Sequence, residues 1–451
     1  MQPAQFFSKL FGVNSGPRSF ARAGLGAAAV RAGAIIASLA ASTILARALG
    51  PTGFGIYANI LAVLAIFALP VSMGLPTLIL RETAAAQATQ DYARMRGILD
   101  WSARLIFVTS ALMLTLGFLI LWNIGDRLLP GTKLTVVFGL LLIPITALGR
   151  ARGAALKGLR QIVRGQFPDD VLRPAVLALL AAALVWGLGG LLTPARAMGL
   201  HLAAASVAFL LGYWLLLRAQ PGQMATAKPQ YQTAAWRKAI LPLATISGLQ
   251  IVSQQTDLIM LGIWRAPAEI GFYKVAVSGA ALTTFGLTVL NMVLAPQFAK
   301  LKATGNDEEL SRLAAKGAVL SLLFTLPMVL LFAVFGTEIL VLLYGQAYAD
   351  SAVPLVIISG GLALTASLGM TGIFISMTGL ERFGAMAWFI AALTNVVLNA
   401  IVIPRFGMNG AAVATVISTF LASSFMWVAI YRKTGINVSA LGIFRRRPKS
   451  E

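Results

Sequence analysis

Ser247, Gln250, Gln254 and Asp257 follow one another at spacings of three, four and three inside a stretch that is otherwise apolar. On a helix these positions share one face. A polar stripe on an apolar helix has to meet water or protein rather than hydrocarbon. Asp257 carries the only carboxylate well inside an apolar run, eight residues before Arg265, which is roughly 12 Å along a helix. Arg31, Ser38 and Ser42, spaced by seven and four, form a second such stripe near the start of the chain. A guanidinium there can hold phosphate oxygens in a bidentate fork, or it can snorkel from a helix start to the interface. Lys274 falls near the depth of Asp257 on the next apolar run. Paired, the two would form a gate; unpaired, Asp257 would suit proton or cation coupling, and the sequence leaves both open. Asn395 and Asn399, four apart, share a face that serves either interhelical hydrogen bonding or contact with a polar ligand. Arg150 and Arg152, with Lys157 and Arg160, form a basic cluster that could attract anionic headgroups.

Other chemistries are excluded by what the chain lacks. It has no cysteine, so neither disulfides nor thiolate metal sites arise, and its one histidine, His201, reads as an interfacial residue rather than a ligand or triad member. The fifteen acidic residues lie mostly in loops and at helix ends without forming a catalytic pair, so no enzyme site, metal or cofactor is expected. A formal charge of +21 raises nucleic-acid binding, but the basic residues fall between apolar runs rather than on one soluble face.

The elements that must carry these residues are apolar helices. Of the 451 residues 58% are hydrophobic and 11% charged, too little charge to coat a soluble protein of this length. Apolar runs near 22–46, 54–79, 98–123, 133–156, 169–190, 196–218, 238–264, 270–296, 313–336, 352–377, 384–403 and 409–431 are each long enough to span a bilayer. The expected fold is therefore all-α and polytopic, with about twelve transmembrane helices. Segments after even-numbered runs collect most of the arginines and lysines, which by the positive-inside rule puts both termini in the cytoplasm. Phe6, Phe7, Leu10 and Phe11 read as a short interfacial helix or a tail, and no cleavable signal is apparent. Pro70, Pro76, Pro144, Pro242 and Pro327 interrupt runs and mark candidate bends.

The chain writes one turn twice. RALGPTGFGIY at Arg47–Tyr57 and WRAPAEIGFY at Trp264–Tyr273 align through Gly55-x-Tyr57 and Gly271-x-Tyr273, a shift of about 216 residues. LKGLRQ at Leu156–Gln161 and MTGLERF at Met377–Phe383 repeat the fourth-to-fifth junction. Six runs per copy give two pseudo-twofold-related six-helix bundles of the same orientation, an arrangement suited to alternating access. The domains are then a cytoplasmic or interfacial segment 1–20, bundles 21–219 and 237–432, a cytoplasmic linker 220–236 and a basic cytoplasmic tail 433–451. Under the shift Arg31 falls on Ser247 and Ser38 on Gln254, so the two stripes occupy equivalent faces and would line one central cavity.

ILARALGPTGFGIYANILAV at Ile44–Val63, QQTDLIMLGIWRAPAEIGFYKVA at Gln254–Ala276 and TNVVLNAIVIPRFGMNGAAVATVIS at Thr394–Ser418 resemble, in order, stretches of bacterial polysaccharide flippases (the Wzx type) of the multidrug/oligosaccharidyl-lipid/polysaccharide (MOP) exporter superfamily. The resemblance implies a bacterial inner-membrane flippase and no enzyme. It would move a lipid-linked oligosaccharide of the undecaprenyl diphosphate type to the outer leaflet for surface polysaccharide export. The implied partners are that glycan, membrane lipids and glycan-assembly proteins, with a monomer sufficient for transport. No Walker-type glycine loop is present. The alternatives are a cation-coupled exporter of small amphiphiles and a membrane enzyme of glycan assembly. A major-facilitator reading fits poorly, because Arg81–Gly97 lacks that class's Gly-x-x-x-Asp-Arg pattern.

Overall fold

The computed structural model describes residues 18–129 and 131–444, all of the regular structure helical. The Phe6–Phe11 segment and the tail from Arg445 lie outside the described residues. Among these residues nine helices are long and apolar enough to cross a membrane. Two of them fold sharply, Arg18–Phe67 at Gly50 (φ 65°, ψ 173°) and Glu381–Thr434 at Gly407 (φ 55°, ψ −136°). Only glycine adopts such backbone without strain, so each of the two is a pair of helices joined by a single residue. Thr233–Trp264 is also long enough, but its polar stripe keeps it less apolar than the rest. Twelve long helices result: α1 (18–49), α2 (51–89), α3 (Tyr92–Ile124), α4 (Thr132–Gly158), α5 (Ile162–Gly187), α6 (Pro194–Ala219), α7 (Thr233–Trp264), α8 (Pro267–Ala303), α9 (Asp307–Tyr344), α10 (352–377), α11 (381–406) and α12 (408–434).

Several are interrupted where the sequence changes chemistry. α2 breaks into pieces ending at Phe67, Ser72 and Thr89, with Pro70 and Pro76 each in the first turn of a new piece; proline is tolerated there because that N–H has no intrahelical partner. Pro144, Pro242 and Pro327 instead stay inside their helices. α8 passes through a 3₁₀ turn at Ala281–Thr284, close to the position equivalent to the α2 break. α5 contains a π-helical turn at Pro168–Leu172, a local underwinding that re-aims side chains.

Large apolar side chains on the outside, among them Phe107, Trp122, Leu179 and Leu188, are strongly exposed, the reverse of a soluble surface. Inside, α4 packs on α6, α7 on α11 and α12, and α9 on α10, while α1 and α2 lie against α7 and α8 of the other half. Odd-to-even connections, including Gly50, Ala266, Gly345 and Gly407, form one end of the molecule, called here the turn end. The opposite, linker end holds the segment before α7. That segment is not loose: the Gln230 N–H donates to the Ala93 carbonyl at 3.0 Å, and α7 begins at Thr233, inside the expected linker.

Candidate functional site: the seam between the halves and the polar groups behind it

The repeated turns meet each other. A Cβ at Gly55 would overlap the Pro267 carbonyl, and a Cβ at Gly271 would overlap that of Pro51. Pro51 and Pro267 are themselves equivalent, so the contact is reciprocal, glycine of each copy on the proline carbonyl of the other. Small residues let backbones approach this closely where lipid supplies no hydrophobic drive. Tyr57 and Tyr273, two residues on, turn the other way, each into its own half. Tyr57 Oη pairs with His201 Nδ1 of α6 at 2.7 Å. His201 is thus a partner inside the first half rather than the interfacial residue expected.

Further bonds close the turn end. Arg47 donates through Nε to the Leu343 carbonyl at 2.8 Å and through Nη2 to that of Leu342, neutralising the exposed carbonyls at the end of α9. Tyr348 Oη donates to the Ala46 carbonyl at 2.8 Å, and Asn59 Nδ2 to that of Leu258 at 2.7 Å. Arg265 caps α11 in the same way, donating to the Ile403 and Pro404 carbonyls at 3.2 and 3.0 Å. At the linker end Glu82 accepts two bonds from Arg94, at 3.1 and 2.6 Å, and one from Trp236 Nε1 at 3.3 Å. Burial alone would raise the Glu82 pKa; the bonds from Arg94, Trp236 and Arg81 outweigh it and hold the carboxyl below its ordinary value.

The α1 stripe runs up to this seam. Arg31 and Ser38 are exposed, on the side of α1 away from Gly26 and Gly33, which abut Val163 and Val171 of α5. Ser42 is partly buried, with its hydroxyl 3.5 Å from those of Ser278 on α8 and Tyr344 on α9. On α7, Gln254 is exposed and Ser247 and Gln250 are partly so, but Asp257 is only 6% exposed. Asp257 therefore leaves the stripe and does not line a cavity with it; the two faces differ by about 60°.

Asp257 instead anchors a polar cluster inside the second half. Its Oδ1 accepts from Asn395 Nδ2 at 3.0 Å and Asn399 Nδ2 at 2.7 Å, and its Oδ2 from Tyr273 Oη at 2.6 Å and Thr415 Oγ1 at 2.5 Å. Four neutral donors hold one buried carboxylate, and no ion pair reaches it among the described residues. The expected Asp257–Lys274 pair does not form: Tyr273, one residue before Lys274, takes the carboxylate, and Lys274 points about 100° away. Lys274 shares its face with Gly271 and Ser278, both turned toward the first half, and has no hydrogen-bond or ion-pair partner among the described residues. Asn399 Oδ1 is buried without a partner. Rotated carboxamides would offer oxygens beside Asp257 and Thr415, a hard-donor set whose single charge suits a proton or a monovalent cation. No cluster of three or more His, Cys, Asp or Glu occurs among the described residues.

The basic pair on α4 divides in two. Arg152 is 4% exposed, bonds Asp169 at 2.5 Å through Nη2 and donates through Nη1 to the Ala208 and Phe209 carbonyls at 2.9 Å, so it ties α4 to α5 and α6. Gly212 leaves room for its guanidinium. Arg150 is exposed and lines a cavity of about 270 Å³ between α2, α4 and α5, together with Lys157, Asp169 and Asp170. Thr415, Tyr273 and Trp236 were not singled out from sequence. The first two carried a readable signal, one the second tyrosine of the repeated turn and the other a hydroxyl within the third family-like stretch.

Comparison with known proteins agrees with this architecture. A family model described as "Polysaccharide biosynthesis protein" matches residues 175–353. Among curated relatives, a probable low-salt glycan biosynthesis flippase of Haloferax volcanii, Agl15, is 25% identical over 162 residues, 36% of this chain and 34% of that protein. A probable flippase of the same organism, AglR, is 28% identical over 174 residues, 37% and 36% of the two chains. The chain thus spans about a third of the length of these relatives. An inward-facing MATE-family multidrug transporter of the MOP superfamily superposes with TM-score 0.71 at 15% identity, over 90% of this chain and 98% of that one. The lipid II flippase MurJ, in an inward closed conformation, gives 0.66 at 13%, over 91% and 89%. The chain shares the helical fold of these two solved proteins, and the resemblance to polysaccharide flippases read from its sequence is borne out by the matched family model and the named flippases. The named relatives are flippases, not enzymes.

Proposed function

We propose that the chain translocates a lipid-linked, undecaprenyl diphosphate-type oligosaccharide from the inner to the outer leaflet of a bacterial cytoplasmic membrane by alternating access. The observation that carries this reading is the reciprocal Gly55–Gly271 seam standing above the exposed stripe of Arg31 and Ser38. The basic residues gathered at the linker end favour that end as cytoplasmic, which makes the seam the closed outer gate.

In this reading the guanidinium of Arg31 receives the diphosphate at the open mouth. The sugars occupy the polar groove and the lipid tail stays in the bilayer. Lys274, unpaired and on the seam-facing side of α8, offers a second cation at the depth of the gate. Opening then requires the two glycine contacts and the Arg47 and Tyr348 bonds to part while the linker end closes. Both walls come from one chain, so a monomer suffices.

The buried Asp257 cluster favours coupling of that change to a proton or monovalent cation, and it is also the feature that keeps a cation-coupled exporter of small amphiphiles as the second reading. Depletion of the protein separates the two. Build-up of lipid-linked glycan on the cytoplasmic leaflet with loss of surface polysaccharide supports the flippase. Intact glycan export with new sensitivity to cationic amphiphiles overturns it.

A further inference from the structure

Each half has a cavity, and the two overlap in position under the duplication. Aligned through Gly158 and Gly379, the second half is shifted by about 221 residues in this region, so Arg150 falls on Thr371, Gln166 on Ala387 and Asp170 on Ala391. All three equivalents line a second cavity, of about 240 Å³, between α8, α10, α11 and α12. The two sites have diverged in chemistry. The first is lined by Arg150, Lys157, Asp169 and Asp170; among the described residues no charged side chain lines the second. Its walls carry the indole of Trp388, the hydroxyls of Thr371, Thr419 and Ser423, and Asn291, whose Oδ1 is buried and without a partner.

We infer that the second cavity is a subsite for one uncharged pyranose ring of the transported glycan, an assignment that rests on the flippase reading above. A pyranose has an apolar C–H face and a rim of hydroxyls. Trp388 offers a flat apolar wall for the face, while Asn291 and the three hydroxyls can meet the rim. An isoprenoid chain would leave the Asn291 oxygen buried and unpaired, which is unfavourable. An anion would find no cation among the described residues of the lining. The volume is below the roughly 300–1,000 Å³ of pockets for drug-sized ligands and suits a single ring rather than a multi-ring amphiphile.

The test uses the full-length purified protein and paired probes: farnesyl diphosphate, and farnesyl diphosphate carrying one glucose, galactose or N-acetylglucosamine, bound by titration calorimetry. The expected result is that the best glycosylated probe binds at least about tenfold more tightly than the bare diphosphate. Trp388→Leu and Gly372→Leu should each bring that ratio to near one without changing affinity for the bare diphosphate. Gly372 lines the cavity and has no atom within 4 Å of a built Cβ, so a side chain can start there without a clash, and this variant guards against misfolding of the Trp388 variant. Equal binding of bare and glycosylated probes by the wild type, or a ratio that survives both substitutions, overturns the subsite while leaving the flippase reading standing. Failure of the wild type to bind either probe overturns both.

Discussion

Gly55 and Gly271 hold equivalent positions in the two halves and face each other across the seam, each against the other copy's proline carbonyl. The repeated motif therefore works as a pair, since neither copy has a close partner without the other. A side chain at either glycine must push the halves apart. Gly55→Val or Gly271→Val should abolish transport while leaving protein abundance intact. The chain has no cysteine, so Ser278→Cys provides a clean reporter beside the seam. Its labelling by a membrane-impermeant maleimide added from outside should rise several-fold in the valine variants. Unchanged labelling would show that the glycine contact does not keep the outer side shut.

Asp257 accepts from four donors at once, and its removal takes away the acceptor they share and leaves them only their bonds to one another. Asp257→Ala should lower stability by at least about 2 kcal/mol, read as a drop in unfolding temperature. If the site also binds a monovalent cation, sodium or lithium should raise the unfolding temperature of the wild type by mass action and leave that of Asp257→Asn unmoved. Equal shifts in both proteins would exclude a cation at this carboxylate.

Exchanging charges, Asp257→Lys with Lys274→Asp, is the test a gate formed by that pair would pass. The geometry gives the opposite expectation. Tyr273 and Thr415 hold the carboxylate, and Lys274 looks toward the first half. The double variant should be as inactive as Asp257→Lys alone, measured by export per folded molecule, and recovery of export would restore the paired gate.

Arg152 joins three helices, whereas Arg31 is exposed and has no hydrogen bond or ion pair among the described residues, so the two arginines should fail differently. Arg152→Met strands Asp169 and should cost about 3 kcal/mol of stability, part of it recovered by adding Asp169→Asn. Arg31→Ala should keep the wild-type unfolding temperature and abundance yet cripple export. Normal export in Arg31→Ala would remove it from the transport path.

The twelve helices were legible because each crossing needs a long apolar run, and even the single-residue turns at Gly50 and Gly407 lie where two runs abut. The duplication was legible because the seam demands glycine at the same place in both copies. The partners of Asp257 were not. Spacing places a residue on a helix face to within about 60°, which is the angle separating exposed Gln254 from buried Asp257. It cannot say which helix packs there, and three of the four donors come from residues 138 to 158 positions away. Asn395 and Asn399 were found as a pair on one face for the right reason, their spacing of four, but only packing of α11 on α7 gave them their carboxylate. The docking of the linker was not read from the sequence, because it accepts and donates partly through its own backbone, at Ala227 and Gln230.

That docking decides where α7 can bend. Its first turns are fastened to the first half, through Trp236 on Glu82 and through Gly74, whose built Cβ would press on Ala244. From Asp257 onward the same helix is bonded to α11 and α12. α7 thus belongs to one body at its start and to the other at its end, and any rocking of the halves must be taken up in residues 245–255 between. Those are the residues that carry Ser247, Gln250 and Gln254. The surface proposed to touch cargo would also be the elbow of the machine, so cargo that stiffens this stretch would resist the stroke, and cargo that favours its bent form would help drive it.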